Sequence, residues 1–371
     1  MSDKIIREVY DNNLNATLQL RKRENTRSTY ISLNTSDSSY IWPENATCFQ
    51  YPISYHIRVT DKCNLHCPYC YTVDGNKTED MSDAKVFELL NRCTQEEVML
   101  LTWTGGEPLT RHKIYDFISV AHSYGIHQTL LTNGTLLDNY ALSKLPLDNF
   151  VIQVGFNEPW GTSQATKENH EIILENLRNA NSRGFSVIVT ITMAPEHVDK
   201  LPSLLEKLQC SSVHNIKIGL LLPMGKLKGM DYTHYIKEIR RISARITKLK
   251  KTYSLLNIQF QYDYGKFCDT NLIPKRFLQC EAGVSQIYLD NNGDVYPCPL
   301  FKSYPEFNWG NYFTDSLEKI WYSNQMTSLR NSNSPQCQKC GFLCDVWCRA
   351  IQYELSGSTQ GTSMLCPLNQ C

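Results

Sequence analysis

Eight residues constrain this chain more than any others: Cys63-Asn64-Leu65-His66-Cys67-Pro68-Tyr69-Cys70. Three thiolates at spacings of four and three fit inside one compact loop and can converge on a single inorganic centre. Soft sulfur ligands select iron–sulfur, zinc or copper(I). Three cysteines, not four, is the informative part. Structural zinc asks for a closed tetrahedral shell, whereas a cubane held by three thiolates leaves one iron open to a small molecule. A zinc loop, or a chance spacing among fifteen cysteines, is the plainer alternative.

The flanking pattern narrows the choice. Tyr55 to Thr60 alternates and is β-rich, which places the cysteines in the loop after a first strand. Val98 to Trp103 reads as a second strand running into Thr104-Gly105-Gly106-Glu107-Pro108, and Gln128 to Leu131 as a third ending in Thr132-Asn133-Gly134. Phe150–Phe156, Phe185–Met193 and Asn215–Leu222 complete six strands, separated by helical patterns. One such helix starts at Ser82 or Asp83 and carries Val86, Leu89, Leu90 and Cys93 on one face, so Cys93 is read as a core thiol. Another carries Ile114, Phe117, Ile118 and Ala121 and stops at Gly125; a third carries Ile172, Ile173 and Leu177. Asp231 to Lys251 reads as a long helix whose basic residues form a solvated face. Repeated β/α units predict parallel strands with right-handed crossovers.

This ordered set (CxxxCxxC, then GGEP, then TNG) resembles the radical S-adenosylmethionine (SAM) superfamily, over nearly the whole chain past residue 55. The resemblance implies an α/β fold, a partial (β/α)6 TIM-like barrel open on one side, with function at the C-terminal ends of its strands. It implies that Cys63, Cys67 and Cys70 hold a [4Fe–4S] cluster whose remaining iron is chelated by SAM. Gly105 and Gly106 would let backbone approach the SAM amino group, and Glu107 would offer it a carboxylate. The Tyr69 backbone would contact the adenine, Thr132 and Asn133 would lie near the ribose, and Lys167 is a candidate partner for the SAM carboxylate. The family's usual Ser-Leu-Asp-Gly after strand four is replaced by Gly155-Phe156-Asn157-Glu158, so those contacts are not carried over.

From about Tyr264 the composition changes, and the last nine cysteines fall between Cys268 and Cys371. Ser285 to Tyr296 alternates around Asn292-Gly293, a hairpin signal in which Gly293 supplies positive φ. Such a hairpin brings Cys280 and Cys298 together at its open end. The tail resembles the SPASM domain, which holds two auxiliary [4Fe–4S] clusters. By that resemblance Cys280, Cys298 and Cys348, with Cys268, bind the first, and Cys337, Cys340, Cys344 and Cys366 the second. The chain departs where Gly341-Phe342-Leu343 gives three residues before Cys344 instead of five, and Cys371 is an alternative ligand. A zinc ribbon is the plainer reading of the tail.

The length, 371 residues, suits one large and one smaller domain. The expected division is an N-terminal extension over 1–54, a radical SAM core over 55–255 and a SPASM domain over 256–371. The extension is polar, predicts a short hairpin over the barrel edge, and is too short for a winged-helix leader-binding domain; Cys48 within it is a bystander. With 37 basic and 37 acidic residues, nothing calls for nucleic acid or an anionic membrane. The chain has no run of 18 apolar residues, and Met1-Ser2-Asp3-Lys4 does not begin a signal peptide, so a soluble, cytoplasmic protein is expected. The resemblance implies an oxidoreductase that cleaves SAM reductively to a 5′-deoxyadenosyl radical and abstracts a substrate hydrogen. It points to cross-linking or oxidation of a ribosomally made precursor peptide, with flavodoxin or ferredoxin as electron donor. A small-molecule dehydrogenase is the alternative. Sulfatase-maturase-like oxidation is disfavoured because Pro299-Leu300, not Asp, follows Cys298. A non-catalytic zinc protein is the outsider.

Overall fold

The computed structural model describes residues 4–22, 29–34, 43, 46–71, 79–156, 167–261, 266–267, 280–332, 342–343 and 348–361. Three antiparallel strands come first: β1 (Lys4–Asp11), β2 (Ala16–Lys22) and β3 (Thr29–Asn34), with β2 central. Val9, Leu18 and Leu20 of this sheet pack with Ile53 and Met99. Those two residues immediately precede barrel strands, so the extension covers the N-terminal end of the barrel, not its edge, and it has one strand more than a hairpin.

The strands predicted by alternation all form: β4 (Ser54–Arg58), β5 (Leu100–Thr104), β6 (His127–Thr132), β7 (Phe150–Gly155), β8 (Ser186–Met193) and β9 (Asn215–Leu220). They lie side by side in chain order and all are parallel. Two further parallel strands flank them. β10 (Asn257–Phe260) pairs with β9. β12 (Gln286–Leu289) pairs with β4 and turns back into antiparallel β13 (Val295–Tyr296). The barrel sheet therefore runs past residue 255. A separate two-stranded pairing joins β11 (Lys266–Phe267) to β14 (Phe342–Leu343).

Helices α1 (Asp83–Gln95), α2 (Ile114–Ser123), α3 (Asn139–Lys144), α4 (Lys167–Ser182), α5 (Leu201–Cys210) and α6 (Thr233–Thr252) follow successive barrel strands. Ser82 caps α1, its Oγ accepting from Lys85 N at 3.3 Å. Along β8 the burial alternates: Val187, Val189, Ile191 and Met193 are buried in the helix-facing core, and the residues between them are half-buried on the concave face. On α4, Ile173, Leu177 and Ala180 form the stripe that faces that core, and Ile172 falls outside it and is exposed. Cys93 is fully buried, a core thiol. The β12–β13 turn is a three-residue loop: Gly293 N donates to Asp290 O at 2.9 Å, and Gly293 closes it at φ +91°. Three short helices follow: α7 (Leu317–Trp321), α8 (Asn324–Arg330) and α9 (Arg349–Ser356).

Candidate active site

The cysteine loop leaves β4 already tied to its neighbour. Val59 N donates to Thr104 O at 2.9 Å, Gly106 N to Thr60 O at 2.8 Å and Glu107 N to Lys62 O at 2.8 Å. Side chains would prevent this approach: a Cβ at Gly105 would lie 2.3 Å from Thr60 O, and one at Gly106 2.3 Å from Lys62 O. Gly105 also sits at φ +149°. The two glycines are thus required for loop-to-loop contact, a reason the sequence did not give.

Glu107 likewise has partners that the sequence did not show. It is 1% exposed, and its carboxylate is engaged internally. Oε1 accepts from Thr132 Oγ1 at 2.8 Å and from Leu109 N at 3.1 Å, while Oε2 accepts from Asn133 N at 2.7 Å. Burial pushes the group up to about 7, against hydrogen bonds from Asn133, Leu109 and Thr132 that pull it down. Glu107 therefore locks the GGEP loop to the TNG loop. Asn133 Nδ2 in turn donates to Asn64 Oδ1 at 2.9 Å, and Asn64 Nδ2 to Thr135 Oγ1 at 2.8 Å. The three motifs meet at one end of the sheet, in contact through side chains that all three supply.

Several supporting residues went unnoticed in the sequence. Arg111, buried, donates to Val59 O and Met81 O and pairs with Asp83 at 2.7 Å, which fixes where β4 ends. Asp80 accepts from Thr60 Oγ1 and Asp61 N at 2.9 and 3.0 Å. Lys226 donates from Nζ to Cys67 O at 2.9 Å and from its backbone N to Cys70 O at 3.1 Å. Gly225 beside it admits no side chain, since a Cβ would stand 2.4 Å from Tyr71 Cα. The only available signal was position: Met224-Gly225-Lys226 follows β9 at the same end of the sheet as the other motifs. Tyr69 is half-buried in the cysteine loop. Lys167 opens α4, and its side chain lies outside the described residues.

Cys63, Cys67 and Cys70 are half-buried and in no disulfide. Burial raises the Cys63 thiol, with Glu107, Cys67 and Cys70 adding to the effect and the Leu65 amide opposing it. A second set gathers beyond Tyr71. Burial pushes Cys348 up to about 11 and Cys298 well above its ordinary value; Cys280 raises both further, and Cys348 also raises Cys298. Aromatic and apolar side chains crowd this set, among them Met224, Tyr288, Tyr296 and Phe301. Tyr71 belongs to the same packed cluster. Its hydroxyl, pushed up to about 12 chiefly by burial, feels both Cys70 and Cys298, so it stands between the two sets. Arg58 also joins the regions, pairing with Asp61 at 2.5 Å and with Asp290 of the hairpin turn at 3.6 Å, while Lys302 holds Asp290 at 3.3 Å. Cys268, Cys337, Cys340, Cys344, Cys366 and Cys371 lie outside the described residues.

The donor chemistry suits iron–sulfur clusters: both sets are all-thiol and half-buried. Among the described residues, no three His, Cys, Asp or Glu side chains gather round one metal ion. A cubane needs no such gathering, because each thiolate takes its own iron.

Comparison with known proteins agrees with this arrangement. The model of the radical SAM superfamily matches residues 57–208, and that of the SPASM iron–sulfur cluster-binding domain matches 280–341. The probable GTP 3′,8-cyclase of Methanopyrus kandleri is 26% identical over 66% of this chain and 80% of its own. Mycofactocin maturase MftC of Mycolicibacterium smegmatis is 23% identical over 81% of this chain and 79% of its own. Sporulation killing factor maturation protein SkfB of Bacillus subtilis is 22% identical over 75% and 67%. Among solved structures, Streptococcus suis SuiB bound to precursor peptide SuiA shares the fold with TM-score 0.70 at 15% identity, covering 87% of this chain and 78% of that one. Native anSMEcpe with bound AdoMet gives 0.66 at 16% identity, covering 86% and 95%.

Proposed function

As a member of the radical SAM superfamily with a C-terminal SPASM domain, the chain is an enzyme that binds SAM and iron–sulfur clusters, and we propose that it modifies a ribosomally made precursor peptide. The observation that carries this reading is the pairing of two half-buried all-thiol sets, one on the loop after β4 and one against the aromatic cluster that Tyr71 joins. Relatives named as maturases over most of their length support the peptide class of substrate.

In this reading Cys63, Cys67 and Cys70 hold a [4Fe–4S] cluster with SAM at its open iron. Bound there, the pair supplies a 5′-deoxyadenosyl radical that takes a hydrogen atom from a C–H bond. The chain's own residues fix the loop that carries the cluster. Lys226 holds the Cys67 and Cys70 carbonyls, Arg111 and Asp80 hold the loop's start, and Glu107 keeps the neighbouring loops in register. Backbone of Tyr69, Gly105 and Gly106, with Thr132, Asn133 and Lys167, lines the SAM site. Cys280, Cys298 and Cys348, with Cys268, hold a first auxiliary cluster, and Cys337, Cys340, Cys344 and Cys366 a second. Domains over 1–54, 55–255 and 256–371 then serve as cover, radical-generating core and electron-accepting unit, with β10 and the hairpin shared by the last two. A flavodoxin or ferredoxin supplies the electron, and the enzyme works in the cytoplasm.

The test is anaerobic incubation of reconstituted enzyme with SAM, dithionite and short peptides encoded beside its gene. A peptide that changes mass while 5′-deoxyadenosine forms supports the reading. A small-molecule substrate is favoured by one observation, the likeness to a probable GTP cyclase. Turnover of a nucleotide or other metabolite, with every peptide unchanged, would replace the peptide reading by that one.

A further inference from the structure

Two arginines are buried where the C-terminal cysteines meet. Arg349 directly follows Cys348, opens α9 and is 0% exposed; Arg330 ends α8 and is 2% exposed. They hold adjacent carbonyls of the turn after Cys280. Arg349 Nη1 donates to Ala282 O at 3.1 Å, and Arg330 Nε donates to Gly283 O. Their electrostatic surroundings differ. Among the described residues, the thiols of Cys280, Cys348 and Cys298 act on Arg349. Cys48, Tyr322 and Arg349 itself act on Arg330, whose guanidinium lies over the Trp321 ring at 4.3 Å.

A buried guanidinium is costly unless negative charge compensates it, and arginine does not escape by losing its proton. Three thiols offer little charge as thiols. As thiolates on a cluster they offer a net negative centre that becomes more negative on reduction.

We infer that Arg349 is the buried counter-charge of the metal centre at Cys280, Cys298 and Cys348, and that it sets how readily this centre accepts an electron. The inference rests on the cysteine assignment proposed above. A permanent positive charge in so poorly screened a place stabilises the reduced form over the oxidised one. Arg330, whose charge lies against a different set of groups, serves only to brace the turn.

The test uses the full chain with Cys63, Cys67 and Cys70 changed to Ala, so that only C-terminal iron remains. The midpoint potential of the signal that Cys298→Ala abolishes is followed by EPR during reductive titration. Arg349→Met is expected to lower the reduced-to-oxidised ratio at fixed potential about tenfold or more, ~59 mV for a one-electron couple. Arg349→Lys should stay near the parent, and Arg330→Met should leave the potential unmoved while loosening the same turn. An unchanged potential in Arg349→Met overturns the proposal, as does an equal shift in Arg349→Met and Arg349→Lys. If Arg349→Met fails to hold iron, retention is compared instead. Iron kept by the Lys variant supports a role for charge, and iron lost from both shows that the side chain only packs. Absence of iron in the parent would instead refute the cysteine assignment, and the inference with it.

Discussion

Two cysteine sets made of the same donor atoms, all of them half-buried, differ in what holds them. The Cys63–Cys70 loop alternates half-buried and exposed residues and is held mainly through backbone, by amides of the GGEP loop and by Lys226. Cys280, Cys298 and Cys348 are held by side-chain mass: a packed aromatic cluster on one side and buried Arg349 on another. The roles proposed for the two sets account for the contrast. A site that exchanges a small molecule needs an open corner on a rigid loop. A centre that only passes electrons gains from a dry, charge-compensated setting.

The largest expected effect separates the two sets directly. Changing Cys63, Cys67 and Cys70 together to Ala should reduce 5′-deoxyadenosine formation to that of an enzyme-free blank. Cys298→Ala should leave SAM cleavage measurable and abolish the modified product, both read by liquid chromatography with mass detection. Next come the glycines. Gly106→Ala drives a Cβ into the Lys62 carbonyl, which cannot yield, and should cost about 3 kcal/mol or more in denaturant titration. Gly283→Ala, in the second region, meets the Met326 sulfur at the end of a flexible side chain and should cost clearly less, despite φ +70°. Equal costs would erase the contrast between a backbone-held and a side-chain-held site.

Histidine protonation bears on the barrel and not the tail, because all nine histidines precede residue 235, and Glu107, pushed up to about 7, gains its proton over the same range and works in the opposite direction. Burial pushes His127 down to about 4, so its contribution to stability is complete above pH 6.5 and is lost as pH falls toward 4. At pH 5 that loss is about 2 kcal/mol. His127→Gln should flatten the urea midpoint between pH 7 and pH 5, and His56, also pushed down to about 4 by burial, accounts for part of the remainder. The smallest effect is expected for Lys226→Met, which removes the hydrogen bond to Cys67 O and should slow SAM cleavage about tenfold with little change in stability.

The strands were legible because period-two alternation and helical stripes leave a direct trace, as in β8 and in Val86, Leu89 and Leu90 of α1. The cysteine motif was legible because few chemistries want three thiols at that spacing. What stayed hidden was partnership. Glu107 reads as a carboxylate offered to SAM, and only the fold shows that Thr132 and Asn133 donate to it. Gly105 and Gly106 read only as glycines near a ligand, and the second reason for them, the Thr60 and Lys62 carbonyls 2.3 Å from where side chains would stand, needed the fold. Lys226 and Arg111 carry no motif, since a lone cation acquires its role from whichever carbonyls the fold brings near. The extra parallel strands β10 and β12 are four residues each, too short for periodicity to announce their place in the barrel sheet.

The central claim is that the first set alone offers a metal corner to SAM. Electron–nuclear double resonance on the reduced enzyme with amino-15N-labelled SAM tests it most directly. The account predicts 15N coupling in the native chain and in Cys298→Ala, and none when Cys63, Cys67 and Cys70 are Ala. Coupling that survives the triple substitution, or that Cys298→Ala alone removes, would contradict it.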